Sequence, residues 1–281
     1  MFKKVLVAID LSGPSMELLN AVDDLQKLGL EELVIVHVIR REKVGIGIND
    51  QRERFLEQIE DRKRELESEG LKVKVLQPIG NPTEEITSLS GEEGVDLIMI
   101  GSFGEGGLVR KLFLGSTVAD VIRGTKKPIL VEKYLRSEGK FTRIPIFKDS
   151  QPATALLATD FSRSSLRVLD NFLDHPGVFN KIILYNVVDE GFTKEQLQQN
   201  TEKAYVKLDD WKKEFEQRGF EVQPQVVVGI ASEVIIEASK KPDVDMLAVS
   251  RKGRSMVDEL VIGSNADQIV RQSAKPVLIL R

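Results

Sequence analysis

Short apolar runs and longer amphipathic stretches alternate along the chain. Runs rich in Val, Ile and Leu occupy 3–9, 33–39, 72–76, 96–101 and 128–132, bounded by Gly, Pro or Asp, and they predict strands. Between them, Ser15 to Leu28 carries Leu18, Leu19, Val22 and Leu25 at helical spacing, and 50–69 reads as a strongly charged helix with Phe55, Leu56, Ile59 and Leu66 on one side. Strands that are apolar throughout, rather than at alternate positions, belong to a sheet covered on both faces. Such a sheet is parallel and built from right-handed βαβ crossovers. The pattern returns at 154–159, 180–188, 222–228, 245–250 and 276–280, so each half of the chain predicts a five-stranded α/β domain.

The two halves are copies. Val7-Ala-Ile-Asp10-Leu-Ser12 returns as Leu157-Ala-Thr-Asp160-Phe-Ser162, shifted by 150. Ile35-Val-His-Val38 returns as Leu184-Tyr-Asn-Val187 and Val95-Asp-Leu-Ile98 as Val244-Asp-Met-Leu247, both shifted by 149. Lys127-Pro-Ile-Leu130 returns as Lys275-Pro-Val-Leu278, shifted by 148. Matches that keep order and spacing across so many anchors mark an internal duplication. The expected division is a first domain over 1–132, a linker over 133–152 and a second domain over 153–281. The linker, a mix of Lys, Arg, Glu, Gly and Pro, matches neither copy. Its roughly 20 residues could span ~65 Å if extended, so it leaves the placement of the domains open.

Composition narrows the chemistry. In 281 residues, 40 Lys+Arg stand against 44 Asp+Glu, a net charge of −4, which argues against a protein that coats nucleic acid. The absence of Cys removes disulfides, thiolate nucleophiles and Cys-ligated metal sites. With only His37 and His175, a histidine triad or His-based metal site has almost no material. His37 closes a buried strand and is expected to be a hydrogen-bonded structural residue; His175, beside Pro176, is expected to be exposed. The longest apolar runs fall far short of the ~20 residues needed to cross a bilayer, and the N-terminal one is too short for a signal peptide. The expectation is a soluble, cytoplasmic protein without membrane or nucleic-acid partners.

In an open α/β sheet, ligands bind beyond the carboxyl ends of the strands where the strand order reverses. Asp10 and Asp160 close the first strand of each copy, and the Ser two residues on supplies a helix cap. After the fourth strand comes Gly101-Ser-Phe-Gly104-Glu-Gly-Gly107, then Gly115-Ser116-Thr117 opening a helix. The second copy reads Ser250-Arg-Lys-Gly253-Arg254, then Gly263-Ser264-Asn265, with nine residues between Gly253 and Gly263. Glycines let backbone N–H groups approach phosphate oxygens, and a helix N-terminus adds partial positive charge. The copies differ: the first keeps its glycines but separates Gly104 from Gly115 by ten residues and places Glu105 where an anion would lie. The second has Ser250 in place of the first glycine and the basic group Arg251, Lys252 and Arg254. That charge balance makes the second copy the better triphosphate site and leaves the first better suited to a monophosphate.

The Gly-x2-Gly-x9-Gly-Ser/Thr pattern, the Asp closing strand 1, the His-Val closing strand 2 and the Lys-Pro entry to the last strand together resemble the universal stress protein family. The resemblance covers both copies. It implies two Rossmann-like domains, each a five-stranded parallel sheet of order 3-2-1-4-5 with helices on both faces, and ATP or AMP held between strands 1 and 4, with Mg²⁺ accompanying ATP. Carried over by position, Asp10 and Asp160 would contact the adenine or ribose, and the backbones of Val38 and Val187 the adenine. Gly101, Gly104, Gly115 and Ser116 in the first copy, and Ser250, Gly253, Arg254, Gly263, Ser264 and Asn265 in the second, would hold ribose and phosphates.

The sequence carries no Gly-x-Ser-x-Gly elbow, no His-Glu-x-x-His and no P-loop lysine, so no catalytic or metal residue is assigned. The expected function is an adenine-nucleotide-binding stress-response protein acting as a sensor or partner-binding module. The alternatives are a slow Mg-dependent ATPase or phosphotransfer switch, and a scaffold that works through protein contacts alone. Apolar fifth strands at bare edges invite pairing. The resemblance implies an intramolecular pseudo-dimer through strand 5, with homodimerisation and an unidentified protein partner as further contacts.

Overall fold

The computed structural model describes residues 1–10, 12–41, 48–103, 115–137, 140–148, 153–189, 191, 193–253 and 262–281. These divide into two compact units, Met1–Arg143 and Ile144–Arg281.

In the first unit the chain runs β1 (Lys4–Ala8), α1 (Gly13–Met16), a 3₁₀ segment (Glu17–Ala21), α2 (Val22–Lys27), β2 (Glu32–Val36), β3 (Ile39–Arg40), α3 (Ile48–Ser68), β4 (Lys72–Leu76), β5 (Ile79–Gly80), α4 (Pro82–Glu92), β6 (Leu97–Phe103), α5 (Ser116–Gly124), β7 (Ile129–Ser137) and β8 (Lys140–Arg143). Its sheet has the order β4-β2-β1-β6-β7, with every one of these pairs parallel. Numbered by strand along the copy, that is the expected 3-2-1-4-5. The second unit runs β9 (Thr154–Ala158), α6 (Arg163–Leu173), β10 (Lys181–Val188), α7 (Lys194–Gln217), β11 (Glu221–Val228), α8 (Ala231–Ser239), β12 (Met246–Ser250), α9 (Ser264–Gln272) and β13 (Val277–Leu280). Its order is β11-β10-β9-β12-β13, again parallel throughout.

The central strands are buried on both faces, as their unbroken apolar runs require: Val5, Leu6 and Val7 of β1 and Ala155, Leu156 and Leu157 of β9 are all within 1% of complete burial. The long helices that cross from the second to the third strand bury equivalent stripes. Phe55, Ile59 and Leu66 of α3 correspond, 149 residues on, to Ala204, Leu208 and Phe215 of α7, and all six are buried. Both helices stop at a glycine in the left-handed region, Gly70 at φ +91° and Gly219 at φ +89°, where a side chain would strain the backbone. Helix α7 begins with a reciprocal cap: Gln196 N–H donates to the Thr193 hydroxyl and the Thr193 N–H donates to the Gln196 side chain.

The helix expected over Ser15–Leu28 is interrupted by the 3₁₀ segment. Tightening there leaves the Leu19 carbonyl able to accept from the Arg62 guanidinium at 3.4 Å, while Leu18, Leu19, Val22 and Leu25 still bury as their spacing predicts. The stretch 133–152, expected as a linker, is partly strand: β7 runs on to Ser137 and β8 pairs with it antiparallel, Tyr134 opposite Arg143 and Leu135 opposite Thr142. Arg143 is tied down by a 2.6 Å ion pair to the buried Asp24 and stands 3.6 Å from the fully buried Glu132. A Lys/Arg-rich segment reads as solvated linker by composition, but here one of its cations is the counter-charge of the buried Asp24 and stands beside the interior Glu132 carboxyl.

Candidate functional site

In both units the first strand ends in the same construction. Asp160 Oδ1 accepts the Ser162 N–H at 3.0 Å, and the Ser162 hydroxyl caps α6 by accepting from Ser165 N–H. Asp10 Oδ1 likewise accepts the Ser12 N–H at 3.0 Å and the Ser12 hydroxyl at 2.6 Å, and Ser12 caps α1. Partial burial pushes the Asp10 carboxyl up, but hydrogen bonds from Ser12 and Ser15 outweigh it and hold the group below its ordinary pKa. The second strand ends alike as well: Asn186 Nδ2 donates to the Thr159 carbonyl at 2.7 Å, and His37 Nδ1 donates to the Ile9 carbonyl at 3.0 Å. His37 is therefore a buried, hydrogen-bonded structural residue. His175 is half-buried rather than exposed, its Nδ1 2.7 Å from the Asn171 carbonyl, because the end of α6 folds the ring back over its own last turn.

The second unit holds a cavity of 440 Å³ at the carboxyl ends of β9, β10 and β12. Of the residues singled out in the sequence, Asp160, Val187, Ser250, Gly253, Gly263, Ser264 and Asn265 all line it; Arg254 lies outside the described residues. Asp160 and Gly253 approach closely, since a Cβ on Gly253 would stand 3.1 Å from Asp160 Oδ2, a crowding that a larger residue would relieve only by displacing the carboxylate. Ser250 uses its hydroxyl within the loop, donating to the Lys252 carbonyl at 2.7 Å, and Ser164 donates to that carbonyl at 2.8 Å. The serine that stands for the first glycine thus closes the turn instead of obstructing it. Gly263 is the N-cap of α9, whose first turn receives no side-chain cap, so the amides beside Ser264 and Asn265 keep their donor capacity toward the cavity.

Cations gather around the same space. Lys203 and Lys207 of α7 and Arg251 and Lys252 of the loop line it, against the carboxylates of Asp160 and Asp189 among the described residues. Burial, and secondarily repulsion from Arg281, hold the Arg251 guanidinium pKa below its ordinary value. Three contributors were not legible from the loop motifs. Asn200, Lys203 and Lys207 sit at i, i+3 and i+7 on α7, a spacing that places them on one helical face, yet a charged helix reads as solvated in sequence. Phe161 has φ +61°, the one non-glycine in the left-handed region among the described residues. Such strain persists only where surroundings enforce it: here Phe161 N–H donates to Thr159 Oγ1 at 3.0 Å, and Lys207 Nζ lies 4.9 Å from the ring centroid.

In the first unit Asp10 and Val38 follow the ends of β1 and β2, Gly101 lies inside β6, which runs on to Phe103, and Gly115 and Ser116 open α5, with Gly115 as an N-cap lacking a side-chain cap. Gly104 and Glu105 lie outside the described residues. A smaller cavity of 270 Å³ in this unit lies elsewhere, against Arg40, Arg41 and the start of α4.

The fold and the cavity together define a duplicated, doubly wound α/β protein with a ligand-sized space at the switch point of the second copy. Comparison with known proteins agrees with the fold and its duplication. The model of the universal stress protein family matches residues 1–133 and again 153–281, and the chain belongs to that family. It is 33% identical to a universal stress protein of Methanocaldococcus jannaschii over 156 residues, 47% of this chain and 96% of that one. It is 27% identical to one of Synechocystis over 256 residues, 90% of this chain and 80% of that one. Among solved structures, a universal stress protein from Archaeoglobus fulgidus superposes with a TM-score of 0.69 at 23% identity, covering 99% of this chain and 96% of that one, which is a likeness of fold.

Proposed function

We propose that this universal stress protein binds an adenine nucleotide, ATP or AMP, in the cavity of its second unit and acts as a sensor or partner-binding module. The observation that carries the reading is the convergence on one 440 Å³ space of Asp160, the Ser250–Gly253 turn and the uncapped start of α9, with Lys203, Lys207, Arg251 and Lys252 around it. The residues fit such a ligand in three ways. The Asp160 carboxylate, oriented by the Ser162 amide, accepts hydrogen bonds from ribose hydroxyls or an exocyclic amine. The lack of a Cβ on Gly253 admits close approach of a polar group beside Asp160. The amides of α9 and the surrounding cations favour an anionic tail. When bound with ATP, Mg²⁺ would neutralise part of the phosphate charge.

The test is a calorimetric titration of nucleotide-stripped protein with AMP, and with ATP plus Mg²⁺, alongside an assay of phosphate release. Saturable binding with negligible turnover is the expected result. Metal-dependent turnover abolished by Asp160→Ala would move the function to a slow ATPase switch, and flat traces with both ligands would leave only protein contacts.

A further inference from the structure

We infer that only the second unit takes a nucleotide, because in the first unit Phe55, stacked on His37, fills the place where the second unit keeps its base-sized space. The inference rests on the nucleotide reading above and assigns a stoichiometry of one per chain.

The argument is a comparison of equivalent positions. From Val38 to Val73 and from Val187 to Val222 the copies have the same length, so a constant shift of 149 carries α3 onto α7. The shift also maps the buried residues of one helix onto those of the other, Ile59 to Leu208 and Leu66 to Phe215. Under it, His37 corresponds to Asn186 and Phe55 to Ala204. His37 and Asn186 play the same backbone role, each bonded to the carbonyl that precedes the aspartate. The helix residue above them differs. Ala204 and Asn186 both line the 440 Å³ cavity. Phe55 is completely buried, its ring stacked on the His37 imidazole with centroids 4.8 Å apart and planes 21° from parallel. An adenine in the second unit would be a flat ring beside Asn186 and the methyl of Ala204; in the first unit a flat ring from the protein already lies on the equivalent residue. Displacing it would expose a fully buried phenyl group, a cost that binding would have to offset.

The full chain, stripped of nucleotide, is titrated calorimetrically with AMP, and with ATP plus Mg²⁺, as wild type and as Asp10→Ala, Asp160→Ala, Ala204→Phe and Phe55→Ala. One nucleotide per wild-type chain is expected, unchanged by Asp10→Ala. Ala204→Phe, which puts the first unit's ring into the second, should weaken binding by roughly 10- to 100-fold, and Phe55→Ala should raise the stoichiometry towards two. Circular dichroism establishes that each variant is folded, and Phe55→Leu, milder in lost volume, replaces Phe55→Ala if that variant is not. Two nucleotides on the wild type, an unaffected Ala204→Phe, or a folded Phe55 variant still at one would overturn the inference alone. No binding by the wild type or any variant would overturn the nucleotide reading and this inference with it.

Discussion

The two units are most alike at the ends of their first two strands and differ one layer above. Ile9 N–H donates to the Val36 carbonyl and Thr159 N–H to the Tyr185 carbonyl, both at 2.9 Å, and the following aspartate accepts from a capping serine's amide at 3.0 Å in each. The backbone that presents a site has thus been kept twice. What differs is the side chain that the long helix lays over it: a stacked phenyl in one copy, a methyl beside open space in the other. On the inference of one nucleotide per chain, duplication relieves the first copy of the need to bind, and core physics then favours filling the void, because an apolar ring in van der Waals contact stabilises a fold while an empty space does not.

That contrast predicts a hierarchy of effects. The largest is structural: Phe55→Ala removes a fully buried ring and should destabilise the first unit by about 3–5 kcal/mol, read as an early transition in denaturant unfolding or as lost amide protection in α3 and β2. Ala204→Gly at the equivalent position, which deletes a single methyl and introduces a helical glycine, should cost only about 1 kcal/mol. Equal losses would mean that the two helices pack alike.

Next come the aspartates. Asp160→Ala should weaken nucleotide binding by roughly 10- to 100-fold, the loss of a charged hydrogen-bond acceptor at about 1.5–3 kcal/mol, whereas Asp10→Ala leaves it unchanged. Equal sensitivity would erase the distinction between the copies.

A third contrast lies in the last strand. Gly101 pairs with Glu132 in β7, and Ser250 pairs with Leu280 in β13; the first unit therefore buries a carboxylate where the second buries a leucine. Burial pushes Glu132 up to about 8, against the opposing attraction of Arg143. A carboxyl raised in the folded state holds its proton there while the unfolded chain has lost it. Its stabilising contribution is full below the ordinary carboxylate range and drains away as pH rises through about 8. Glu132→Gln should thus gain stability relative to the wild type between pH 6 and 9, by about 2 kcal/mol, in paired denaturation curves. The neighbouring Lys133 is held down to about 7 by burial and pulls the wild-type curve the opposite way, so the difference between variant and wild type, not the absolute slope, is the readout. A difference that stays flat over this window would show that Glu132 remains ionised against Arg143.

The smallest effects separate the glycines. Gly253→Ala places a Cβ 3.1 Å from Asp160 Oδ2 and should weaken nucleotide binding about threefold to tenfold. Gly115→Ala meets nothing within 4 Å and should change affinity not at all, with only a fraction of a kcal/mol lost at the α5 cap. The comparison would blur if the two substitutions had equal effects on affinity.

Much of this architecture was legible in the residues. Unbroken apolar runs such as Val5-Leu-Val7 gave parallel strands, because period is a local property that survives without knowing the partners. The repeat of Asp-x-Ser and of the loop after the fourth strand pointed to the switch point, where the structure brings Asp160, Val187, Ser250, Gly253, Gly263, Ser264 and Asn265 around one cavity. The helical contributors were hidden. Lys203 and Lys207 look like any solvated pair, and Phe55 like any core residue, since a helical period says that a face is covered but not by what. The pairing of β8 with the end of β7 was hidden too: this polar strand is stabilised through Arg143, whose carboxylate partners include Asp24, 119 residues away.

The sequence by itself therefore determined the duplication, the parallel strands and the positions of the loops, because these depend on repetition, periodicity and local turn chemistry; the strand order came only through the resemblance to a known family. Only the tertiary structure decided what lies over the end of the second strand in each copy. That cover is a matter of volumes between side chains from separate elements: Phe55 against His37, Ala204 against Asn186. No local pattern records it until the helix is packed over the sheet.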